Sequence, residues 1–364
     1  MQEDIALGPV SPSVKKWIAV SAVVGYAILL FFLFFFVDVG KLISVLGSIN
    51  LSVYALALLC VILSITFHSL VWRQLLNSVS IKLGFRRTYV LYWLGVFVDN
   101  LVPGGWSGDL FKAYLLSRDP EVDGGKAVAS VVAKNVYEAI FNLGSMVLGL
   151  TLLVLNYTLA DNGIFISIGV IMVLLTLPLV MLLVVSFKPE EAKRVMGAFL
   201  RVLNLSRLQG VMEKTVDDYH DGMKYLLQTP RMLTKPIALS FFAWGFEVLT
   251  LLLVFASLGQ IVPVDKVIVV RSIAGNLEAQ GYAFAGYAQV VTTALYAALG
   301  INITLSASVA LLGGLVVFWL KTGISYAAFH CTIFTPCHNF VCRAIGIEGH
   351  ASKKRSCDTE ETPD

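Results

Sequence analysis

Residues 99–109 read DNLVPGGWSGD, and they interrupt a long apolar segment of the chain. Pro103 removes a backbone donor, and Gly104, Gly105 and Gly108 permit a tight turn, so a helix should not continue through this stretch. A lipid bilayer tolerates broken backbone only where it is buried in protein or lines a wet cavity. We therefore predict a chain reversal here, with a functional site around it.

The composition is that of a membrane protein that crosses the bilayer several times. Of the 364 residues, 57% are hydrophobic and only 14% are charged, whereas soluble domains carry about 25% charged residues. The net charge of +3 is too small to indicate nucleic-acid binding. The sequence contains no Walker A, catalytic-triad, dinucleotide-binding or metalloprotease pattern. We therefore expect no cofactor, no bound metal and no ATP-driven chemistry.

Six apolar segments are long enough to cross a hydrocarbon core of about 30 Å. They are residues 17–37, 51–72, 126–155, 163–187, 236–258 and 304–329. Lys and Arg concentrate in residues 73–87 and 188–235, in Lys15-Lys16 and in Lys353-Lys354-Arg355. The positive-inside rule assigns these parts, and with them both termini, to the cytoplasm. We expect the plasma membrane as the location.

Two further apolar segments, 88–118 and 266–300, are broken by Gly, Pro and polar residues. By the orientation above, the first begins and ends on the cytoplasmic side, and the second begins and ends outside. The motif Asn100-Leu101-x-x-x-Gly105-Trp106 of the first also has an echo, Asn276-Leu277-x-x-x-Gly281-Tyr282, in the second.

The predicted fold is therefore an all-α, polytopic membrane helical bundle with about six full spans plus two re-entrant helical hairpins in an inverted repeat. The repeats are residues 15–157 and 163–330, with a connection at 188–235, between tails at 1–14 and 331–364. In this layout, substrate sites lie between the repeats near the bilayer midplane.

Polar residues within the apolar segments are candidates for binding a lipid headgroup, because charges in a bilayer are costly and by default functional. We predict a short helix from about Gly108 to Ser117, with Ser107 as its cap and a first turn that favours a lipid phosphate. Asp109 in that turn either complements the helix dipole or holds a headgroup or proton. Lys112 either pairs with Asp109 or binds phosphate.

The segment 126–155 carries a polar stripe at helical spacing, formed by Lys134, Glu138, Asn142 and Ser145. Lys134 and Glu138 either pair with each other or form one wall of a headgroup path. Glu247 lies between apolar neighbours in the segment 236–258 and is the most isolated acid along the chain. Proton coupling is therefore one role that we consider for it.

In the second broken segment, Arg271 is the best candidate for a phosphate contact. The complete set of predicted lipid-binding residues is Asp99, Asn100, Pro103, Gly104, Gly105, Gly108, Asp109, Lys112, Lys134, Glu138, Asn142, Glu247, Arg271, Asn276, Glu278 and Gln280.

Three motifs resemble the transmembrane region of lysylphosphatidylglycerol synthases and of stand-alone flippase-like membrane proteins, including archaeal ones linked to glycolipid pathways. They are Trp72-Arg73-Gln74-Leu75-Leu76, then residues 99–105 with Gly108-Asp109 and Lys112, and then Ser130-Val131-Val132. The resemblance covers residues 15–330 and implies a lipid-handling, flippase-type domain. Lys134-Asn135 stands where the family commonly has an acidic–basic pair, and residues 285–289 replace its second Pro-Gly-Gly-like turn. No soluble transferase portion is present, so we expect no enzymatic activity.

Two functions follow from these observations. The first is a translocator that carries a phosphate-bearing phospholipid or isoprenoid glycolipid headgroup through a polar groove between the repeats. The second is a non-transporting subunit that presents lipid to a separate glycosyltransferase or aminoacyltransferase, with the basic connection 188–235 as its docking surface; a membrane-embedded transferase ranks third. The expected partners are anionic phospholipids or polyprenyl-linked glycolipids, and for the second function also a transferase. Oligomerisation is left open.

Overall fold

The computed structural model describes residues 39–101, 107–119, 124–156, 234–279 and 286–333, together with residues 30, 31, 34, 35, 122, 190, 193 and 194. All regular secondary structure within these ranges is helical, which confirms the predicted class. Four helices are long and apolar enough to cross a membrane: Leu51–Ser78, Gly124–Asn156, Thr234–Ser257 and Ile303–Cys331. They correspond to four of the six predicted spans. The other two, 17–37 and 163–187, lie largely or wholly outside the described residues.

The helices are, in chain order, α1 (Val39–Gly47), α2 (Leu51–Ser78), α3 (Phe85–Leu101), α4 (Ser107–Ser117), α5 (Gly124–Asn156), α6 (Thr234–Ser257), α7 (Val264–Ala279), α8 (Tyr287–Ala298), α9 (Ile303–Gly314) and α10 (Lys321–Ile333). A π-helical turn, Leu315–Leu320, joins α9 to α10 without a break. Asparagine side chains cap the starts of two spans. Asn50 accepts from Ser52 N at 3.1 Å at the start of α2, and Asn302 accepts from Thr304 N at 2.9 Å at the start of α9.

α2 and α6 pack along their length as an antiparallel pair. Asn50 N, at the start of α2, donates to Ser257 O, at the end of α6, over 2.7 Å. Further along, the Phe67 ring stacks on that of Phe242, with 5.6 Å between centroids. The last residues of α2 and of α6 therefore lie at opposite ends of the helix pair. Because α3 follows α2 and α7 follows α6 after short connections, α3 and α7 begin at opposite ends of this pair.

α3 and α4 form an antiparallel hairpin. At one end Arg87 Nη2 donates to Asp119 Oδ2 at 2.6 Å, and at the other end Asp99 contacts Gly108. The chain thus reverses between residues 101 and 107, as the Pro-Gly-Gly motif predicts. Pro103, Gly104 and Gly105 themselves lie outside the described residues.

α7 and α8 form a second hairpin, in which Lys266 Nζ near the start of α7 donates to Leu299 O just after α8, at 2.6 Å. Each hairpin also packs on a span from the other half of the chain. α7 lies against α5, where Gly149 approaches Ser272 so closely that a Cβ on the glycine would be 2.7 Å from the serine Cβ. α3 lies against α10, where Asn100 Nδ2 donates to Thr322 Oγ1 at 2.9 Å.

One large apolar cluster joins these helices, and Trp72, Phe255 and Tyr296 are fully buried within it. Large apolar side chains also cover the outer surface of the spans. Leu51, Phe241 and Trp319, for example, are more than half exposed. An apolar exterior of this kind suits a protein whose solvent is lipid.

Candidate functional site

The structure gathers most of the charged site residues into two groups, of which the first is largely buried and the second half-buried. The first charge cluster consists of Asp99, Asp109, Lys112, Lys134 and Glu138. The second charge cluster consists of His68, Glu247 and Arg271. Within the described part of the chain, no salt bridge joins the two clusters.

Asp109 lies between two lysines in the first charge cluster. One carboxylate oxygen forms a salt bridge with Lys112, and the other lies 3.2 Å from Lys134 Nζ. Lys134 is also 2.8 Å from Glu138 Oε2. Asp109 and Lys112 are each only 2% exposed. For Lys112 and for the Lys134–Glu138 pair, we predicted either these ion pairs or contacts with a lipid headgroup. The structure shows the ion pairs.

Aromatic rings give Lys112 a further contact. Its Nζ lies 5.2 Å from the centroid of the Trp72 ring and 4.5 Å from that of Tyr92. A cation over aromatic faces is stabilised by their negative charge density, more so when water is excluded. Lys112 is therefore held by Asp109 and by two rings at once, inside the packed hairpin.

Asp99 occupies the start of α4. Its Oδ1 accepts from Gly108 N at 2.6 Å and from Ser107 Oγ at 3.2 Å. We predicted that Ser107 caps this helix and that a lipid phosphate binds at its start. In the structure, Asp99 and not Ser107 accepts from the Gly108 N–H, and the Ser107 hydroxyl donates to Asp99. The Asp99 carboxylate, at the end of the preceding helix, accepts from the Gly108 N–H, one of the groups without a partner inside the helix at such a start.

Glu247 is the centre of the second charge cluster. Its Oε2 accepts from Arg271 Nη2 at 2.8 Å and from Arg271 Nε at 3.2 Å. Its Oε1 accepts from Ser64 Oγ at 3.2 Å and lies 3.3 Å from His68 Nε2. The expectation that Glu247 is isolated was wrong. Its sequence neighbours are apolar, but its partners come from α2 and α7.

A small, partly open cavity lies beside the second charge cluster; the empty space amounts to about 600 Å³ only when the open solvent at its mouth is included. Helices from both halves of the chain form its wall. Its polar lining includes Glu247, Thr250, Arg271, Gln289, Thr292 and Lys321. Sequence reasoning missed His68, Gln289 and Lys321. The available signal was the same as for the other polar residues, because each interrupts an apolar helix.

The remaining predicted residues lie apart from this cavity or outside the described structure. Asn100 links α3 to α10, as described above, and buried Asn276 donates to Ser272 O at 2.7 Å. Asn142 is half-buried on α5. Glu278 belongs to α7 but its side chain is not described, and Gln280 lies outside the described residues.

Long apolar helices with charges buried between them define the chain as a polytopic helical membrane protein. Its family is shown by a match of residues 17–325 to the model of the lysylphosphatidylglycerol synthase transmembrane region. The chain belongs to this family, which confirms the resemblance seen in its motifs.

Similar proteins are known from archaea. A UPF0104 membrane protein of Pyrococcus horikoshii is 23% identical over 85% of this chain and 94% of its own length. One of Methanocaldococcus jannaschii is 26% identical over 80% of this chain and 88% of its own length. A third, from Methanothermobacter thermautotrophicus, is 22% identical over 72% of this chain and 80% of its own length. No solved structure matches the chain.

Proposed function

We propose that this protein is a flippase-like translocator that moves a phosphate-bearing lipid headgroup across the membrane. The observation that carries this proposal is the cavity beside Glu247 and Arg271, whose mostly apolar wall carries these and a few other polar side chains. Glu247 lies close to the midpoint of α6, a helix long and apolar enough to span the bilayer. A partly open space with charged and polar groups at that depth is what a headgroup needs in order to cross.

The energetic reason is desolvation. A phosphate and its hydroxyl groups lose their hydration in hydrocarbon, and burying polar groups without hydrogen bonds is expensive. Arg271 and Lys321 line the cavity and can replace water as donors to the phosphate. The acyl or isoprenoid tails would stay in the surrounding lipid, against the exposed apolar side chains.

The packing of the helices supports an inverted repeat around this cavity. α2 and α6 are antiparallel, and the two hairpins start from opposite ends of that pair. Each hairpin packs on a span of the other half: α3 contacts α10, and α7 contacts α5. The two halves therefore make corresponding contacts with each other. In transporters with inverted repeats, rocking of one unit against the other exposes a central site to each side in turn. We propose that both hairpins are re-entrant and that both termini are cytoplasmic, in the plasma membrane.

We further propose that the chain acts as a carrier and not as an enzyme. Asp109, Lys112, Lys134 and Glu138 of the first cluster are paired with one another. Glu247 and Arg271 of the second cluster also pair with each other, and both line a cavity whose other polar residues can donate to a phosphate. Such a site binds and releases without making or breaking a covalent bond.

Reconstitution into liposomes tests the proposal. Fluorescent phospholipids in the inner leaflet become accessible to an external quencher only if the protein moves them. We expect movement with the wild-type chain and at least a tenfold slower rate with Arg271→Gln, since a charge-assisted hydrogen bond contributes about 1.5–3 kcal/mol. Lys126→Gln is the matched control, because Lys126 is exposed in the first turn of α5.

Equal rates in protein-free and protein-containing liposomes, for every anionic and glycosylated lipid tried, would refute the translocator. Lipid that co-purifies and depends on Arg271, without any movement, would instead support presentation of lipid to a separate transferase. Deletion of residues 193–225 would then release a bound enzyme.

A further inference from the structure

His68 brings a titratable ring into the second charge cluster. Its Nε2 lies 3.3 Å from Glu247 Oε1, the same oxygen that accepts from Ser64 Oγ at 3.2 Å. Ser64 and His68 are four residues apart and therefore occupy one face of α2. Ser64 and Glu247 both line the cavity. His68 thus lies about 6 Å along α2 from the cavity wall.

The hydrogen bonds of Glu247 indicate which nitrogen of the His68 ring can take up a proton. Arg271 donates to Glu247 Oε2 from both Nη2 and Nε, an arrangement that suits an ionised carboxylate. An ionised carboxylate only accepts, so its contact with His68 requires a hydrogen on Nε2, and Nδ1 of a neutral ring then keeps its lone pair. The His68 side chain is 28% exposed, against 18% for Glu247. Its Nδ1 has no hydrogen-bond partner among the described residues.

Charged groups approach this part of α2 from several helices. α6 contributes Glu247, α7 contributes Arg271 and α10 contributes Lys321, and all three line the cavity. α3, α4 and α5 contribute the first charge cluster, of which Lys112 lies over a ring of α2 one turn beyond His68, while the π-helical turn on α2 contains no titratable residue. Carboxylic acids, lysine and arginine ordinarily titrate outside the range of about pH 5–8, and histidine titrates within it. His68 is therefore the group among them that we expect to change its charge near neutral pH.

We propose that His68 binds a proton when an anionic headgroup enters the cavity. The proton comes from water and adds to Nδ1, which converts the neutral imidazole into an imidazolium ion. A phosphodiester brings one negative charge and the proton brings one positive charge, so the loaded site gains no net charge in a medium that penalises charge. This argument concerns only the two added charges and does not depend on the other interactions of the charged groups nearby. It rests on the proposed lipid-handling function and gives that function a proton as its second ligand.

The proton and the headgroup must strengthen each other's binding by the same factor. An imidazolium ion near the phosphate attracts it, and by thermodynamic necessity the bound phosphate raises the affinity of the ring for its proton equally. Headgroup binding is therefore tightest at low pH, where the ring is protonated, and weakens as the pH rises through the range in which histidine loses its proton. A histidine that served only as a hydrogen-bond donor to Glu247 would leave headgroup binding independent of pH.

Titration calorimetry of the full-length protein in detergent, with short-chain phosphatidylglycerol as the probe, tests this inference. The phosphodiester of this lipid keeps its single charge throughout the experiment, whereas a phosphomonoester would itself titrate near about pH 6. We expect the wild type to bind the lipid about tenfold more tightly at about pH 5.5 than at about pH 8.5. Repeating the titration in buffers of different ionisation enthalpy measures the protons exchanged, and we expect net uptake near neutral pH.

The variant His68→Gln separates proton binding from hydrogen bonding. The glutamine amide can still donate to Glu247 but cannot take up a proton in this pH range. We expect this variant to take up no proton and to bind the lipid equally at both pH values, with the affinity that the wild type shows at the higher pH. His330→Gln is the matched control, because His330 lies near the end of α10 and is not part of the cavity lining. It should keep the pH dependence of the wild type.

The inference fails if the wild type binds the lipid without proton uptake and equally at both pH values, if it binds no lipid at either pH, or if His68→Gln keeps the pH dependence. The first two results do not depend on whether a variant folds. Proton-linked binding without movement of lipid in liposomes would overturn the translocator and leave the proton site intact. Movement of lipid together with binding that is independent of pH would do the reverse.

Discussion

Asp109 receives two lysine ammonium groups, and one of these lysines also contacts Glu138. The side chains of Asp109, Lys112 and Lys134 are almost completely buried. Charges in such a position are stable only when they compensate one another, because each has lost its hydration. The group therefore holds α3, α4 and α5 together, whatever ligand the protein binds elsewhere.

We predict that Asp109→Asn lowers the free energy of unfolding by about 3–5 kcal/mol, because it leaves two lysines with too little negative charge in a buried place. Chemical denaturation in detergent measures this. Glu190→Gln is the matched control, since Glu190 and Lys193 are also an acid–lysine pair three residues apart, 3.1 Å from each other, but the Glu190 side chain is 78% exposed. Loss of that pair should cost less than about 1 kcal/mol.

A different result would change the role of Asp109. If Asp109→Asn unfolds like the wild type but no longer moves lipid, the carboxylate acts on the headgroup and the pairing seen here is one state of a working site.

At the scale of helices, α3 and α4 can approach each other closely because Gly108 has no side chain. A Cβ on Gly108 would collide with Gly95 O and would lie 2.5 Å from Asp99 Oδ2. The backbone oxygen cannot move away without disturbing α3. Gly108 is therefore required by packing between helices, in addition to its place in the turn motif.

Gly108→Ala should destabilise the protein by about 1–3 kcal/mol, the usual cost of overpacking, and should weaken the contact of Asp99 with the start of α4. Gly144→Ala provides the comparison, because Gly144 also lies within a helix but has nothing within 4 Å of an added Cβ. That change should be neutral or stabilise by up to about 1 kcal/mol. Thermal unfolding of the two variants side by side checks the difference, and equal melting temperatures would contradict it.

Much of the helical layout can be predicted from the sequence, because it depends on patterns local to the chain. The ends of the spans predicted at 51–72, 126–155, 236–258 and 304–329 differ from the observed ends by at most six residues, because apolar length alone indicates them. The reversal after Leu101 follows from Pro and Gly. The π-helical turn was not predicted, since Leu315–Leu320 consists of ordinary apolar residues with no local signal for a wider turn.

Partners that lie far apart in sequence were harder to predict. The pairing of Lys134 with Glu138 follows from helical spacing, but that of Glu247 with His68 and Arg271 joins three separate helices. The occupation of the α4 start by Asp99 likewise depends on how two helices meet. Sequence periodicity shows on which face of its helix a residue lies, but it does not show which neighbouring helix packs against that face.

At the scale of the whole molecule, the antiparallel arrangement of α2 and α6 makes a prediction about membrane sides. The connection after α2 and the connection after α6 leave the pair at opposite ends. If these helices span the bilayer, exposed residues in the two connections must lie on opposite sides of the membrane. Ser80 and Gln260 are such residues.

In a background without the five native cysteines, Ser80→Cys should react with a membrane-impermeant maleimide only from the cytoplasmic side, and Gln260→Cys only from outside. Right-side-out and inverted vesicles give the two measurements. The cysteine-free parent controls for background labelling. Labelling of both positions from one side would be incompatible with the antiparallel spans and with the proposed inverted repeat.

The π-helical turn Leu315–Leu320 takes up one residue more than an α-helix needs for the same rotation, since each residue of the wider turn rotates the chain less. Deleting one of its residues would therefore restore ordinary α-helical hydrogen bonding and leave Lys321 close to its present side of the helix. The same deletion inside α9 would instead turn everything beyond it by about 100°. The helix thus tolerates a change of length at this one place, a property that scanning by substitution never explores.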